Sequence, residues 1–308
     1  MIKTKQRKPA FKKGILFFIL LLSFLVAETG LPGYNAFTSS SQLGLGGAGY
    51  LFANPISSKM NPSVSDTGRY FVASIIRYPA DIICQSVGLS LPVKQGFASG
   101  SLRHINYGTF DGYDDELNST GTYQSSDTWI SGTYSFRSKT MPLQFGVGGD
   151  YFNSSLDQEK IQAISLSFGG EYYLHRIQTS LGLSYHHFGK AIENGAMGQL
   201  ATKTVLSLTK RLVHLPLTFF FDTIWSEESN ASEIFLGGQF KLNNGVRILW
   251  GTSTRKQDHN LEQDFFRTVL GATGVGFGVE SNNVLIQYST FMFGTGTTIH
   301  GVEIGVQF

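Results

Sequence analysis

Apolar residues recur at every second position along most of this chain and continue to its last residue. The final segment shows this most clearly, with an apolar face of Val302, Ile304, Val306 and Phe308 and an opposite face of Gly301, Glu303, Gly305 and Gln307. A period of two residues is that of a β-strand with two different faces, whereas an amphipathic helix repeats about every 3.6 residues. The chain is therefore predicted to be all-β.

The connections between these segments indicate a transmembrane barrel. Short turns such as Lys94-Gln95 alternate with longer links, which span residues 107–126, 153–160, 189–199, 226–231 and 253–267. Outer-membrane barrels have an even strand number, short periplasmic turns and longer external loops. A soluble sandwich also alternates but has no reason to keep this order. We predict a transmembrane antiparallel β-barrel of about 14 strands over residues 68–308, with both termini at the short-turn end.

The first 27 residues have the organisation of a signal peptide. Six Lys and Arg residues precede an apolar run from Ile15 to Ala27 that is too short to span a bilayer comfortably. We expect its cleavage and delivery of the protein to the outer membrane of a Gram-negative-type cell; an uncleaved N-terminal anchor is the alternative. Removing six of the 24 Lys and Arg residues leaves 18 against 22 Asp and Glu, a net charge of −4. A basic footprint for nucleic acid is thus absent.

Two motifs near the N-terminus resemble a known family. Gly44, Gly46 and Gly47 belong to a G-x-G-x-x-G sequence, but the strand and helix that a nucleotide site needs do not flank it, so nucleotide binding is not expected. Together with Asn61-Pro62, the segment resembles the start of PorV/PorQ outer-membrane barrels, which are related to the fatty-acid transporter FadL. The second motif here reads Asn-Pro-Ser-Val rather than the family's Asn-Pro-Ala-Gly-like turn. The resemblance implies a plug or hatch-like segment over residues 28–67.

A second match lies around Asn106-Tyr107-Gly108, which an acidic loop follows at residues 111–116. This block is similar to the third strand, external loop and fourth strand of PorV/PorQ proteins. The terminal Phe308 resembles the signal read by the barrel assembly machinery, which the resemblance makes a partner along with outer-membrane lipid.

No pattern points to catalysis, a metal or a cofactor. The acidic loop departs from EF-hand order, so a solvated loop is favoured over a Ca²⁺ site. His186 and His187 are adjacent in a predicted strand and should face opposite sides. Cys84 is the single cysteine, which excludes an intrachain disulfide, and it is expected to be buried or to face the lumen. The chain also lacks G-x-S-x-G, H-E-x-x-H and C-x-x-C, so we expect no enzyme activity.

Two functions remain as expectations. Resemblance to PorV/PorQ implies a non-enzymatic part of a type IX protein secretion system, which docks cargo C-terminal domains or other secretion-system proteins through loops 107–126 and 253–267. The alternative is a FadL-like transporter of hydrophobic small molecules, for which the predicted external loops are short. A passive structural barrel is a third possibility, and nothing in the residues separates a PorQ-like from a PorV-like role.

Overall fold

The computed structural model describes most of the chain beyond its N-terminal region. The described residues are 33, 36–56, 60–64, 68–114, 116, 118–138, 140–156, 159–193, 196–227, 232–258, 270–293 and 297–308. The predicted signal peptide, residues 1–27, lies outside them. Within the described residues, no helix is long and apolar enough to cross a membrane.

Antiparallel strands make up the body of the protein. They are β1 (Tyr70–Arg77), β2 (Ile83–Val93), β3 (Gly96–Tyr113), β4 (Ser119–Arg137), β5 (Leu143–Leu156), β6 (Glu159–Leu174), β7 (Thr179–Glu193), β8 (Ala196–Gln199), β9 (Lys203–Arg211), β10 (Leu217–Ser226), β11 (Glu233–Lys241), β12 (Val246–Ser253), β13 (Thr273–Ser281), β14 (Val284–Met292) and β15 (Thr298–Gln307). Two short helices are α1 (Ser40–Gly44) and α2 (Arg255–Asp258), and single 3-10 turns lie at Pro79–Asp81 and His175–Ile177.

The sheet closes on itself. Each long strand pairs with its neighbours in sequence, and β1 pairs with β15 through partners such as Tyr70 and Gln307. The chain terminus reinforces this seam, because the Phe308 N–H donates to the Arg69 carbonyl at 3.0 Å. Closure leaves no sheet edge within the wall, which is what a bilayer requires of a strand-built protein.

The strand count of the closed wall is fourteen, as predicted. Strands β8 and β9 both pair with β7 in one continuous register, with Lys190 opposite Gln199 and His186 opposite Lys203. They are therefore one wall strand that is interrupted at residues 200–202. The physical cause lies on β7, where a bulge displaces the register with β6 between Leu166 and Phe168.

Alternation separates a lipid face from a lumen face, as the sequence predicts. Large apolar side chains are exposed around the wall, for example Ile75, Phe145, Ile164 and Ile304. The inward positions between them are small or polar, as Ser74 and Glu303 illustrate. A continuous apolar exterior of this size has no place in water, whereas an outer-membrane barrel carries such a band about 25 Å tall.

Three predicted external loops are wrong in their extent. The predicted links 107–126, 153–160 and 189–199 are mostly strand, because β3 continues to Tyr113, β5 to Leu156 and β7 to Glu193. The predicted link 107–126 is rich in Thr and Tyr, which favour extended backbone, and the antiparallel ladder between β3 and β4 continues through it to Tyr113 and Ser119. The predicted link 253–267 begins with α2, and its residues 259–267 lie outside the described part.

We expect a charge on the outer belt to destabilise the barrel according to its depth. Ile75 is 56% exposed near the middle of the wall, and replacing it by lysine should cost about 2–4 kcal/mol of folding free energy in lipid vesicles. Leu242 lies at the inner rim, directly after β11, so Leu242→Lys should cost about 0–1 kcal/mol. Urea unfolding in vesicles measures both, and equal costs would contradict a bilayer around this belt.

Candidate functional site: the plugged lumen

Residues 36–56 and 60–64 lie inside the barrel and form a plug, the name used below for these residues. Its first turn is α1, whose N-cap Ser39 accepts a hydrogen bond from the Gln42 N–H at 3.1 Å. The capping oxygen satisfies one of the free N–H groups at the start of a helix. The serines that follow are fully buried, so their polar groups need partners on the wall.

Glu303 of β15 is the main wall partner of α1. Its carboxylate accepts from the Ser41 hydroxyl at 2.8 Å, from the Ser41 N–H at 3.3 Å and from the Asn54 amide at 3.0 Å. Glu303 has no exposed surface, and its three donors come from two separate parts of the plug. One wall residue thus joins the start and the middle of the plug to the same strand.

Ser40 adds further contacts to this seam. Its N–H donates to the Ser74 hydroxyl of β1 at 3.0 Å, and its own hydroxyl donates to the Gly301 carbonyl of β15 at 3.0 Å. Gln287 of β14 donates to the Ser41 hydroxyl at 3.1 Å. The plug is therefore fixed across β1, β15 and β14, where the two ends of the barrel chain meet.

Asp222 of β10 holds the other side of the plug. Its carboxylate accepts from the Gly49 N–H at 2.7 Å and from the Tyr50 N–H at 3.4 Å, and it is buried. Asp222 was not among the predicted site residues. A lone acid at an inward position between the apolar residues of β10 was the available signal.

The glycine motif is explained by close packing. Gly46 and Gly47 have φ values of 62° and 91°, which glycine adopts without strain. A side chain on Gly46 would also press on the backbone of Gly251 in β12, and one on Gly251 would collide with the Leu45 carbonyl. Gly44 ends α1 against Ser289 and Leu249. Here the motif packs the plug closely against the wall, and among the described residues before it, 33 and 36–43, there is no strand such as a nucleotide fold would require.

Asn61 and Pro62, the residues of the second N-terminal motif, lie in the plug. The Asn61 side-chain oxygen accepts from the Ser63 N–H at 3.0 Å and from the Ser63 hydroxyl at 2.7 Å, which makes a local turn. Pro62 then lies directly against Gly146 of β5, where any side chain would meet the Pro62 carbonyl. Going around the wall, β5 is five strands from β15, which carries Glu303, so the plug extends across the lumen.

The outer half of the lumen contains an apolar cluster around the start of the plug. Phe37 packs on Phe291 with ring centroids 4.8 Å apart, and Cys84 is fully buried beside the Phe37 carbonyl, as expected for this cysteine. Arg103 lies 3.6 Å from the Trp129 ring centroid and donates to the Ala36 carbonyl at 3.2 Å. The guanidinium thus caps an aromatic surface and ties the plug to β3.

An outer cavity of about 60 Å³ lies between plug and wall. Apolar side chains of the plug and wall contribute to it, namely Phe37, Met60, Ile224 and Phe235. Cationic groups also line it: Lys203 donates to the Tyr50 hydroxyl at 3.0 Å, and Arg255 pairs with Glu233 at 2.8 Å. Its lining therefore combines apolar and positively charged surface. The apolar part of an amphiphile fits the first, and an anionic head group fits the second.

The two histidines correct a prediction. His186 and His187 both line the outer cavity, with ring centroids 6.1 Å apart, although adjacent strand residues should face opposite sides. The bulge in β7 is the reason, because His187 has a φ of 64° and departs from the extended backbone. Within the described residues no group of three or more His, Cys, Asp or Glu side chains is placed to hold a metal.

Two further cavities open at the short-turn end. The larger, about 670 Å³, is lined by Arg137, Gln144, Glu171, Tyr173 and His175. The smaller, about 170 Å³, reaches Asn54, Arg247 and Glu303 from below the plug. Plug residues line both the outer cavity and the cavity of about 170 Å³, so free space borders the described plug at two places.

The second predicted motif lies in β3, where Tyr107 packs against the apolar cluster of the outer lumen. The Asn106 side chain accepts from the Gly108 N–H at 2.8 Å, and Gly108 has a φ of 99° at a bulge between β3 and β4. Tyr107 donates to Asp127 at 2.7 Å. These contacts bend the strand pair where it leaves the barrel, far along the chain from the glycine motif.

The acidic loop is a hairpin tip. Asp114 accepts from the N–H groups of Glu116 and Asn118 and from the Asn118 amide, and these donors hold the pKa of its carboxyl below its ordinary value. Its oxygens are therefore occupied by the turn itself.

Comparison with known proteins gives a fold match without a sequence match. No family model matches the chain, and no curated protein does. A Pseudomonas aeruginosa FadL homologue of known structure is 11% identical and has a TM-score of 0.56, with 88% of this chain and 98% of that chain covered. The P. putida toluene transporter TodX is also 11% identical, with a TM-score of 0.53 and the same coverage. The chain therefore has the fold of the FadL-like outer-membrane barrels.

Proposed function

We propose that this barrel binds hydrophobic or amphiphilic small molecules in its lumen and passes them across the outer membrane, with the plug as the gate. The observation that carries the proposal is the outer cavity, where apolar side chains of the plug meet the cationic Lys203 and Arg255. The shared fold with a toluene transporter supports it. No catalytic arrangement is needed for such a role.

The size of the outer cavity makes the plug part of the binding site. A volume of about 60 Å³ holds a few water molecules, whereas ligand pockets usually measure about 300–1,000 Å³. A ligand must therefore displace plug side chains such as Phe37 or Met60, and its apolar part would replace their contacts. Binding and movement of the plug are thus coupled in this proposal.

A ligand that has displaced the plug can move on into the inner cavities. The larger has about 670 Å³, which is enough for a drug-sized molecule. Between the two sides, the plug is held at Glu303 and Asp222 by hydrogen bonds, which water can replace when the plug shifts. These hydrogen bonds can break without exposing a large apolar core.

Lys203 should select for a negatively charged head group. Replacing it by glutamine is expected to weaken palmitate binding by about tenfold and to leave toluene binding unchanged, because only palmitate has a carboxylate to pair with the ammonium. Isothermal titration with purified barrel in detergent measures both ligands. Lys210→Gln is the control, since Lys210 lies on the same strand but contacts the Ile177 carbonyl at the short-turn end. An equal loss of affinity for both ligands would argue against a site that recognises the carboxylate.

A second candidate function is docking in a type IX secretion system, as the PorV/PorQ resemblance implies. The hairpin of β3 and β4, which rises past the rim, is the observation that favours it. Deleting the gene and measuring both uptake of labelled palmitate and surface display of secreted cargo separates the two. Lost uptake with normal display supports transport, and lost display with normal uptake supports secretion.

A further inference from the structure

The hairpin of β3 and β4 is taller than the rest of the wall. These strands have 18 and 19 residues, whereas β12 has 8 and β13 has 9. About 9–11 tilted residues cross a bilayer, so the extra length must stand outside it. The hairpin projects from the end opposite Phe308, where the longer links lie.

The projecting part stands without neighbours. Pairing of β2 with β3 ends at Ile83 and Asn106, and pairing of β5 with β4 ends at Leu156 and Ser125. Beyond these pairs, residues 109–113 and 119–124 pair only with each other, among the described residues. We call these two runs, together with the described turn residues Asp114, Glu116 and Asn118, the outer hairpin. Both of its edges carry backbone N–H and C=O groups that no other described strand covers.

A two-stranded ribbon alone in water is marginally stable. Two contacts stabilise the outer hairpin. The rings of Phe110 and Tyr123 stack with centroids 5.6 Å apart, and the Asp114 carboxylate accepts hydrogen bonds within the turn. Phe110 is 41% exposed and Tyr113 is 62% exposed. Proteins usually protect such edges with charged side chains, especially lysine, or with proline. Residues 109–124 contain no lysine or proline, and Asp111 is the one charged residue of residues 109–113. These are the properties of a strand pair that is completed by a partner.

The charge of the outer hairpin restricts what that partner can be. Residues 104–136 contain no Lys or Arg, while the sequence of residues 111–116 includes four acidic residues. Asp111, Asp114 and Glu116 are exposed. A second copy of this chain would bring an equally acidic hairpin and repel it, whereas a basic segment would be attracted.

The two edges are not equally accessible. Beside β4, the β5–β6 hairpin also extends outward to Leu156. Beside β3, the link from β1 to β2 is only residues 78–82, so no described element of comparable height stands there. The β3 edge, residues 109–113, is therefore the open side.

We propose that the β3 edge of the outer hairpin binds an extended, lysine- or arginine-rich segment of another protein, which adds as a further antiparallel or parallel strand. Backbone hydrogen bonds supply the affinity in this mode of recognition, and side chains supply the selectivity. Here the exposed aromatic residues receive apolar side chains of the segment, and the acidic tip receives its basic ones. This inference does not depend on small-molecule transport, and it names the partner chemistry of the docking surface.

The test uses the full barrel in detergent and three short peptides of equal length. One alternates lysine and valine, the second alternates glutamate and valine, and the third is the lysine peptide with proline at alternate valines, which cannot form a strand ladder. Fluorescence anisotropy measures binding. We expect the lysine peptide to bind at least tenfold more tightly than either of the others. Equal binding of the lysine and proline peptides would overturn strand addition, and so would no binding at all.

Hydrogen exchange locates the peptide. Bound lysine peptide should slow exchange of amides in residues 109–113 and leave residues 119–124 unchanged; protection confined to 119–124 would overturn the choice of edge. The double variant Asp111→Lys, Glu116→Lys should lose about tenfold in affinity for the lysine peptide and gain for the glutamate peptide. Asp81→Lys is the matched control, because Asp81 is an exposed acid in the neighbouring turn, paired with Arg77. A barrel dimer that disappears when residues 109–124 are deleted would instead identify a second copy as the occupant.

Discussion

Replacing Gly251 by valine is expected to open the lumen to ions. Any side chain at this position of β12 collides with the Leu45 carbonyl, and Gly46 lies against the same stretch of backbone. A backbone atom cannot rotate away as a side chain can, so the plug must shift or leave its seat. Overpacking of this kind costs about 1–3 kcal/mol or more, enough to change a mostly seated plug into a frequently displaced one.

Single-channel recording in planar bilayers measures this opening, and limited proteolysis measures exposure of the plug. We expect conductance of the Gly251→Val barrel to exceed that of the unmodified one several-fold, with cleavage within residues 39–56. Gly132→Val in β4 is the control, because no atom lies within 4 Å of the added carbon there. If the Gly251 variant stays closed and resistant to protease, residues 39–56 are not what closes the lumen.

Removing the Glu303 carboxylate should loosen the plug from its wall without unfolding the barrel. Glu303→Ala leaves the Ser41 N–H, the Ser41 hydroxyl and the Asn54 amide without their acceptor. Each buried donor that loses its partner costs about 1–3 kcal/mol, although water from the cavity beside Glu303 can replace part of this. The free energy of local plug opening should fall by about 3 kcal/mol.

Hydrogen exchange of amides in α1 reads that opening directly, and a fall of about 3 kcal/mol corresponds to roughly a hundredfold faster exchange. Glu303→Gln keeps one acceptor oxygen and should give an intermediate rate. Glu233→Ala is the control for general loosening, since Glu233 pairs with Arg255 at the outer end. Faster exchange throughout β14 and β15 would show that Glu303 stabilises the wall rather than the plug.

These two variants test the gate of the proposed transport path from opposite directions. Gly251→Val displaces the plug by a steric clash, whereas Glu303→Ala removes the carboxylate that accepts hydrogen bonds from it. If both increase palmitate uptake, the plug limits passage. If both open the lumen to ions while uptake is unchanged, the plug does not limit passage of the ligand and its proposed role as the gate fails.

The wall was predictable from the sequence because lipid imposes one rule on each strand. Every outward residue must be apolar and every inward one can be small or polar, so the period of two in residues 301–308 sets the strand and its faces. Turn lengths then set the order of strands. The same rule does not limit strand length above the membrane, which is why β3 and β4 were predicted too short.

The contacts inside the lumen were harder to predict from the sequence than the wall was. Gly44, Gly46, Gly47, Asn61 and Pro62 were singled out by resemblance, but their wall partners were not. Ser41 and Glu303 are 262 positions apart, and no local pattern joins such residues. The bulge at His187, which turns both histidines to one cavity, arises from mismatch between β6 and β7 and leaves no trace in alternation alone.

The sequence by itself determined that this chain forms strands with one lipid face and one lumen face, because periodicity is local and the bilayer acts on each residue separately. Tertiary structure alone decided how the plug is held, which side chains surround the outer cavity and how far the outer hairpin stands above the rim. Those features depend on contacts between residues far apart in the sequence. Closure of the barrel brings these residues together, so the contacts depend on the pairing of all the strands and not on any one strand.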